Sequence, residues 1–396
     1  MDEMAFSKLL KNSEARKADA GRFVFRRYLF DSLANTPAGT HAGICGLRGI
    51  GKTVLLLQLA NAMKDSFYFS SDAEYLEEYD LYDIMRFVAS RGWKHLFIDE
   101  IHTRSEWKSA LKTAYDENLA RVFFSGSSAL ELRKGADLSR RALLYHMKPV
   151  SFREHLVIKK GIRDAGRISP QALFEEKTRA VFASSNSEFA GYVAEYHSFG
   201  GLAYPSVNPE QFSLMLSNSL EKIIYSDLPR SEVLKHESVE SVKKILQWIA
   251  ISPPAELSYS SLGGKLSVSK PTLMKIVDAI CRMGLVMRVL PCGKDLVRKE
   301  PKLYLAPPFR THIARSVLRE PDAGALREEF FVSHADKLCY LKGNRGQKTP
   351  DFRFEGRTVE VGGAGKNFGQ EPEFILKDSE EFTGKSIPLY MAGFLY

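Results

Sequence analysis

Residues Gly46 to Thr53 read GLRGIGKT, which fits the pattern G-x-x-x-x-G-K-[ST]. The chemistry open to such a stretch is phosphate binding. Its glycines let the backbone N–H groups of Gly46, Leu47, Arg48, Gly49, Ile50, Gly51, Lys52, Thr53 and Val54 wrap phosphate oxygens. Lys52 is expected to reach the outer phosphates and Thr53 to hold Mg²⁺. A second stretch, HLFIDEIH at 95 to 102, places Asp99 47 positions after Lys52 (99 − 52). Asp99 would hold the Mg²⁺ through water, and Glu100 would orient or deprotonate the attacking water. In RVFFSGSS, Ser125 or its rival Ser127 could sense the terminal phosphate, although a serine closing a strand is as often a turn residue. Arg140 and Arg141 follow at a distance suited to an arginine finger, supplied in cis or to a neighbour, with a solvated face as the plain alternative.

Another constellation lies near the C-terminus. Glu328 or Glu329 sits in the helix-like REEFFVSHA, Asp351 follows Pro350, and Glu360 ends RTVE. The set resembles the metal site of restriction-nuclease-like folds, in which a helix glutamate, a Pro-Asp and a Glu-x-Lys converge on Mg²⁺. That resemblance makes Glu329, Asp351 and Glu360 a second candidate metal site. The two acids would hold the ion while a lysine steadies hydroxide and transition-state charge. Here Gly362 stands where the lysine belongs, and Lys366 lies six residues beyond the glutamate in a glycine-rich loop. A flexible loop preorganises a site poorly, so a degenerate module is expected over an active one.

The elements that must carry these residues are legible as patterns. HAGIC reads as a short buried strand and VLLLQLANAM as a helix, which gives the phosphate loop its strand-loop-helix context. HLFID and RVFFS read as further buried strands. From about 160 to 235 the pattern is helical with polar breaks, and Tyr192, Tyr196, Phe199 and Tyr204 are explained best by packing. Between 237 and 299 a new architecture begins. SVKKILQWIAI is an amphipathic helix, SYSSLGGKLSV a short helix with a turn, and SKPTLMKIVDAICRM a third helix. For that third helix, Ser269 is the expected N-cap and Gly284 the terminator, and LVMRV follows as a strand. This is the winged-helix arrangement, whose last helix can enter a major groove. Residues 262 to 299 hold eight Lys or Arg against two Asp. The excess favours duplex DNA, with Lys270, Lys275 and Arg282 as candidate contacts, while protein docking is the competing use. DFRF and RTVEV flank an EG turn as a hairpin would.

Composition sets the frame. At 396 residues, with 44% hydrophobic and 26% charged residues and a formal net charge of +8, the chain has room for several ordinary globular domains. Cys45, Cys281, Cys292 and Cys339 are scattered without a Cys-x-x-Cys, so reduced thiols are expected. No apolar run approaches the roughly 20 residues of a membrane span, so the expectation is a cytoplasmic protein without a membrane partner.

GLRGIGKT, LFIDEIH, the Trp107-centred helix, FFSGSS, ADLSRRALLYHMKPVSFREHL, REEFFVSHA, VEVGG and SIPLYMAGFLY, in that order, resemble an uncharacterised family of bacterial and archaeal AAA-type ATPases with a C-terminal domain of unknown function. DEIH also resembles a helicase box, but no second half with an arginine-rich nucleotide motif accompanies it. The family resemblance implies an α/β P-loop fold of the additional-strand type with helices on both faces, and ATP as the nucleotide. The expected organisation is an AAA-type ATPase domain at 1–160, a helical connector or lid at 161–235, a winged helix at 236–305 and a small α+β nuclease-like domain at 306–396. The expected activity is Mg²⁺-dependent ATP hydrolysis coupled to a DNA-associated C-terminal region. The alternative is a slow ATP-controlled switch or scaffold that self-associates or binds a protein partner.

Overall fold

Strands β1 (His41–Cys45), β2 (Ser66–Ser70), β3 (His95–Asp99), β4 (Arg121–Gly126) and β5 (Ala142–His146) form one parallel sheet in the order β2-β3-β4-β1-β5. The computed structural model describes residues 1–126, 138–204, 208–230, 239–293, 300–342, 349–363 and 372–396. It divides into two compact units, Met1–Lys148 and Pro149–Tyr396.

In the first unit, β3 and β4 are apolar on both faces, as a parallel sheet covered by helices requires. Leu96, Ile98, Val122 and Phe124 share a core with residues of the helices Leu81–Ala89 and Trp107–Asp116. The alternate residues Phe97 and Phe123 stack on each other with ring centroids 4.8 Å apart. The helix Lys52–Ala62 packs along β2, β3 and β4. The order sets β4 between the two strands that carry the chemistry, β1 and β3. That is the additional strand the resemblance implied. An N-terminal helix, Glu3–Ala20, lies against β2, where Ser13 Oγ accepts the Tyr68 N–H at 3.0 Å and Lys17 Nζ donates to Ser66 Oγ at 2.8 Å.

The second unit starts with the helix Phe152–Lys160, capped by a reciprocal Ser151 and Glu154 box. From Pro170 onward the next described residues form mainly helices, among them Glu176–Asn186 and Pro209–Lys222, and Phe189 and Tyr196 share one core with Phe330, Phe331, Val359 and Val361. Three helices follow, Val239–Ile251, Tyr259–Leu266 and Lys270–Arg282, the last capped by Ser269 and followed by Gly284 at φ 81°. After them β6 (Val286–Val289) pairs antiparallel with β7 (Lys302–Leu305).

Beyond the helices Phe309–Ser316 and Ala323–His334 comes a five-stranded sheet of order β12-β11-β10-β9-β8. It contains β8 (Cys339–Tyr340), β9 (Phe352–Phe354), β10 (Arg357–Gly362), β11 (Phe374–Lys377) and β12 (Ser386–Pro388). Strands β8 to β10 are antiparallel and β10 to β12 parallel. The hairpin between β9 and β10 turns at Glu355 and Gly356, both at positive φ (49° and 79°), as a two-residue turn of the primed kind demands.

One expectation is corrected here. Cys292 and Cys339 are not free thiols but form a disulfide across 47 positions. The parallel bridge between Pro291 and Tyr340 brings them together. Cys45 and Cys281 take no part in a disulfide. Among the described residues, no helix is long and apolar enough to cross a membrane.

Candidate functional site

The phosphate loop links the C-terminal end of β1 to the helix Lys52–Ala62. Gly46 is required by contact. A Cβ there would lie 2.4 Å from the Met147 carbonyl oxygen and 2.8 Å from Ile50 Cδ1. Gly51, at φ 94°, turns the chain left-handed immediately before the helix starts, a conformation costly to any other residue. The Lys52 ammonium is buried in the loop and donates to the carbonyl oxygens of Gly46 at 3.0 Å and Leu47 at 2.9 Å. Arg27, outside the motif, braces it. Its guanidinium donates to the Ile50 carbonyl inside the loop and to that of Lys148 at 2.9 Å.

Asp99 ends β3 close to this loop and is 4% exposed. The Thr53 hydroxyl donates to Asp99 Oδ2 at 2.7 Å, joining the two motifs directly. Tyr68 on β2 also donates to Oδ2, at 3.1 Å. The Ser125 hydroxyl at the end of β4 donates to Oδ1, which takes the Glu100 N–H at 3.2 Å as well. Glu100 itself is left-handed, at φ 49°. Its carbonyl is fixed by the Ser71 hydroxyl at 2.8 Å and by the Thr103 N–H and hydroxyl, each at 3.0 Å. Its carboxylate stands 3.4 Å from His102 Nδ1, and the His102 side chain is 4% exposed. A hydroxyl and a carboxylate in contact are the hard oxygen donors that Mg²⁺ takes, so Thr53 and Asp99 fit that ion.

Lys52, Thr53, Asp99, Glu100 and Ser125 are thus gathered at one end of the sheet. Ser125 is fully buried, and its hydroxyl donates to Asp99 Oδ1. Ser127 lies outside the described residues. The cis arginine finger is corrected. Arg141 accepts the His41 N–H on its carbonyl oxygen at 2.9 Å, at the N-terminal end of β1, whereas the phosphate loop leaves the other end. Five strand residues at roughly 3.3 Å each put about 16 Å between them. The Arg141 guanidinium is committed to Asp116, Nε to Oδ1 at 2.7 Å and Nη2 to Oδ2 at 3.1 Å. Arg140, beside it at the same end, is exposed. Sequence reasoning missed Tyr68, whose signal was a lone polar tip in the aromatic strand SFYFS, and Arg27, which carries no motif.

The C-terminal acids meet a different fate. Asp351 Oδ2 accepts the Val361 N–H at 2.9 Å, and Glu360 Oε2 accepts the Asp351 N–H at 3.1 Å. Both carboxylates therefore bind backbone across the hairpin strands. Glu329 as a metal ligand is overturned. Its Oε1 accepts Arg310 Nε at 2.7 Å and the Leu305 N–H at 2.6 Å, and the side chains of Arg310 and Glu329 are only 1% and 3% exposed. Glu328 accepts the Tyr304 hydroxyl at 2.7 Å. Gly362 pairs in register with Lys377, whose ammonium is 3.5 Å from Glu381. Lys366 lies outside the described residues. Among the described residues, no three acids, histidines or cysteines gather where an ion would sit. On the helix Lys270–Arg282, Lys270 and Lys275 are exposed, while Arg282 Nε is paired with Asp278 at 2.8 Å.

Comparison with known proteins agrees with the geometry of the first unit. Residues 40–156 match a family model described as an AAA domain. The chain is 29% identical over 327 residues to the uncharacterized protein MJ1637 of Methanocaldococcus jannaschii, covering 75% of this chain and 68% of that protein. A solved structure of AMPPCP-bound DnaA from Aquifex aeolicus aligns over 66% of this chain and 90% of its own at 15% identity and a TM-score of 0.28, too low to argue from. With the loop, the acid-bearing strand and the strand order in place, residues 40–156 are an AAA-type P-loop NTPase domain.

Proposed function

We propose that the first unit binds ATP with Mg²⁺ and hydrolyses it, and that the second unit is a winged-helix and nuclease-like assembly that engages duplex DNA without cutting it. The observation that carries the ATPase reading is the 2.7 Å bond from Thr53 to Asp99, which brings two motifs 46 positions apart to one point. The backbone N–H groups from Gly49 to Thr53 receive the phosphates at the start of a helix, whose dipole favours anions. Lys52 exchanges its loop carbonyls for the outer phosphate oxygens. Thr53, with Asp99 through water, would hold Mg²⁺, which would supply positive charge against the phosphates. Glu100 accepts a proton from, or orients, the attacking water, and Lys52 stabilises charge that develops on the transferred group.

For the second unit, the supporting observations are three helices followed by an antiparallel strand pair, with Lys270 and Lys275 exposed on the last helix. One oxygen of Asp351 and one of Glu360 accept backbone N–H groups, which favours holding over cutting.

The test is ATP hydrolysis with and without duplex DNA, scored beside DNA cleavage in Mg²⁺ and Mn²⁺. Lys52→Ala is expected to lose nucleotide binding. Glu100→Gln is expected to keep binding and slow hydrolysis by about a hundredfold or more. Duplex should stimulate the wild type, and Lys270→Glu with Lys275→Glu should abolish that stimulation. Wild-type rates in either P-loop-site variant would sink the ATPase reading. Cleavage lost in Asp351→Ala would sink the non-cutting one. ATP-dependent self-association without any effect of DNA would favour the switch.

A further inference from the structure

We infer that Tyr68 is a positioning residue of the nucleotide site, aiming the Thr53 hydroxyl through Asp99, with Arg16 of the N-terminal helix holding Tyr68 in the donating orientation. The inference rests on the ATP and Mg²⁺ reading above.

A phenol has a single proton and lone pairs on the same oxygen. A carboxylate can only accept, so the Tyr68 proton points at Asp99 Oδ2 at 3.1 Å, and the positive charge of Arg16, which lines the same cavity as Tyr68, favours that orientation by repelling the proton.

Each Asp99 oxygen is thereby pinned by a hydroxyl from a neighbouring strand: Oδ2 by Tyr68 on β2 and Oδ1 by Ser125 on β4. With the carboxylate plane fixed from both sides, the Thr53 proton has one place to go, Oδ2 at 2.7 Å. The lone pairs of that hydroxyl then face away from Asp99 and are presented to a cation. Without Tyr68, Oδ2 keeps Thr53 as its only hydroxyl donor among the described residues, and the carboxylate can turn about its own bond. The N-terminal helix is held to β2 by Ser13 and Lys17 as well, so Arg16 approaches from a fixed platform. Sites of this kind depend on groups that lock the liganding side chain.

The experiment measures binding of methylanthraniloyl-ADP by fluorescence, in Mg²⁺ and in EDTA, for wild type, Tyr68→Phe, Arg16→Met and Lys52→Ala. Phenylalanine keeps the ring and removes only the hydroxyl. In Tyr68→Phe the strengthening of nucleotide binding by Mg²⁺ is expected to fall about tenfold, with affinity in EDTA unchanged. Arg16 is exposed, so Arg16→Met leaves the core intact and provides the readout should the phenylalanine variant fail to fold. It should lose about two- to threefold in the same ratio. A merely structural Tyr68 would weaken binding equally with and without Mg²⁺. An unchanged Mg²⁺ effect in both variants, with binding lost in Lys52→Ala, overturns the inference and leaves the ATP reading standing. A wild type that binds no nucleotide overturns both.

Discussion

Replacing Arg310 by methionine tests the buried pair at the centre of the second unit. Arg310 Nη1 donates to the carbonyls of Ile249 at 2.7 Å, Ala250 at 2.9 Å and Ser252 at 3.1 Å, closing the end of the helix Val239–Ile251, while Nε holds Glu329. Methionine fills similar volume but strands the carboxylate, and breaking such a buried pair costs about 3–5 kcal/mol. Burial pushes the Glu329 carboxyl up to about 7, against the pull of Arg310 and the Leu305 N–H. A carboxyl raised in the folded state adds stability below its unfolded value of 4.5, and that stability is lost as pH rises through about 7. At pH 5.5 Glu329 is mostly neutral with or without Arg310, so the variant forfeits chiefly three carbonyl bonds. At pH 8 it must bury an unpaired carboxylate or take up a proton. The penalty should therefore be larger at pH 8, by about 2 kcal/mol. Hydrogen exchange reads this locally, which suits a chain of two units. At pH 8, amides of Val239–Ile251 and Ala323–His334 should exchange on the order of a hundredfold to a thousandfold faster than in wild type, relative to intrinsic rates. A penalty below about 1 kcal/mol, or one independent of pH, would refute the electrostatic reasoning.

Two further outcomes follow from the same logic. His41 is held neutral, its Nδ1 accepting the Val122 N–H at 3.1 Å and its Nε2 facing the Leu111 carbonyl at 3.3 Å, and burial lowers its pKa from 6.5 to about 4. The first unit should lose about 2 kcal/mol between pH 8 and pH 5, because the unfolded chain takes up a proton that the folded one refuses; a urea midpoint for His41→Gln as pH-dependent as wild type would contradict this. The Cys292–Cys339 bridge closes 47 positions, for which loop entropy gives about 4 kcal/mol as an upper figure. Reductant should lower the melting temperature of wild type but not of Cys292→Ser, and equal curves with and without reductant would count against the bridge.

The phosphate loop and the strands HAGIC, HLFID and RVFFS were legible because each is a local run whose type is decided by neighbours within a few residues. The helices and strand pair from 239 to 305 were legible for the same reason, through Ser269, Gly284 and apolar spacing. What stayed hidden depends on partners distant in the chain. Glu329 reads as a helix glutamate until Arg310 and the end of another helix enclose it. Arg141 reads as a finger because sequence distance does not say at which end of a sheet a residue lies. The two bridged cysteines lack any spacing signal, since a β-bridge 49 positions long aligns them. Tyr68 was hidden in a strand that looks wholly structural.

Glu100 turns left-handed at φ 49° directly after Asp99. For a residue with a Cβ this conformation costs about 1–2 kcal/mol relative to ordinary backbone, and glycine would adopt it freely. Selection for stability alone would therefore drift toward glycine at this position, whereas the proposed hydrolysis needs a carboxylate there to orient water. The sharp corner that spares the acid from continuing β3 is also what makes the first unit less stable than its sheet would allow. A screen for thermostable variants that left activity unscored would be expected to recover Glu100→Gly early, and so to select the site out of the protein.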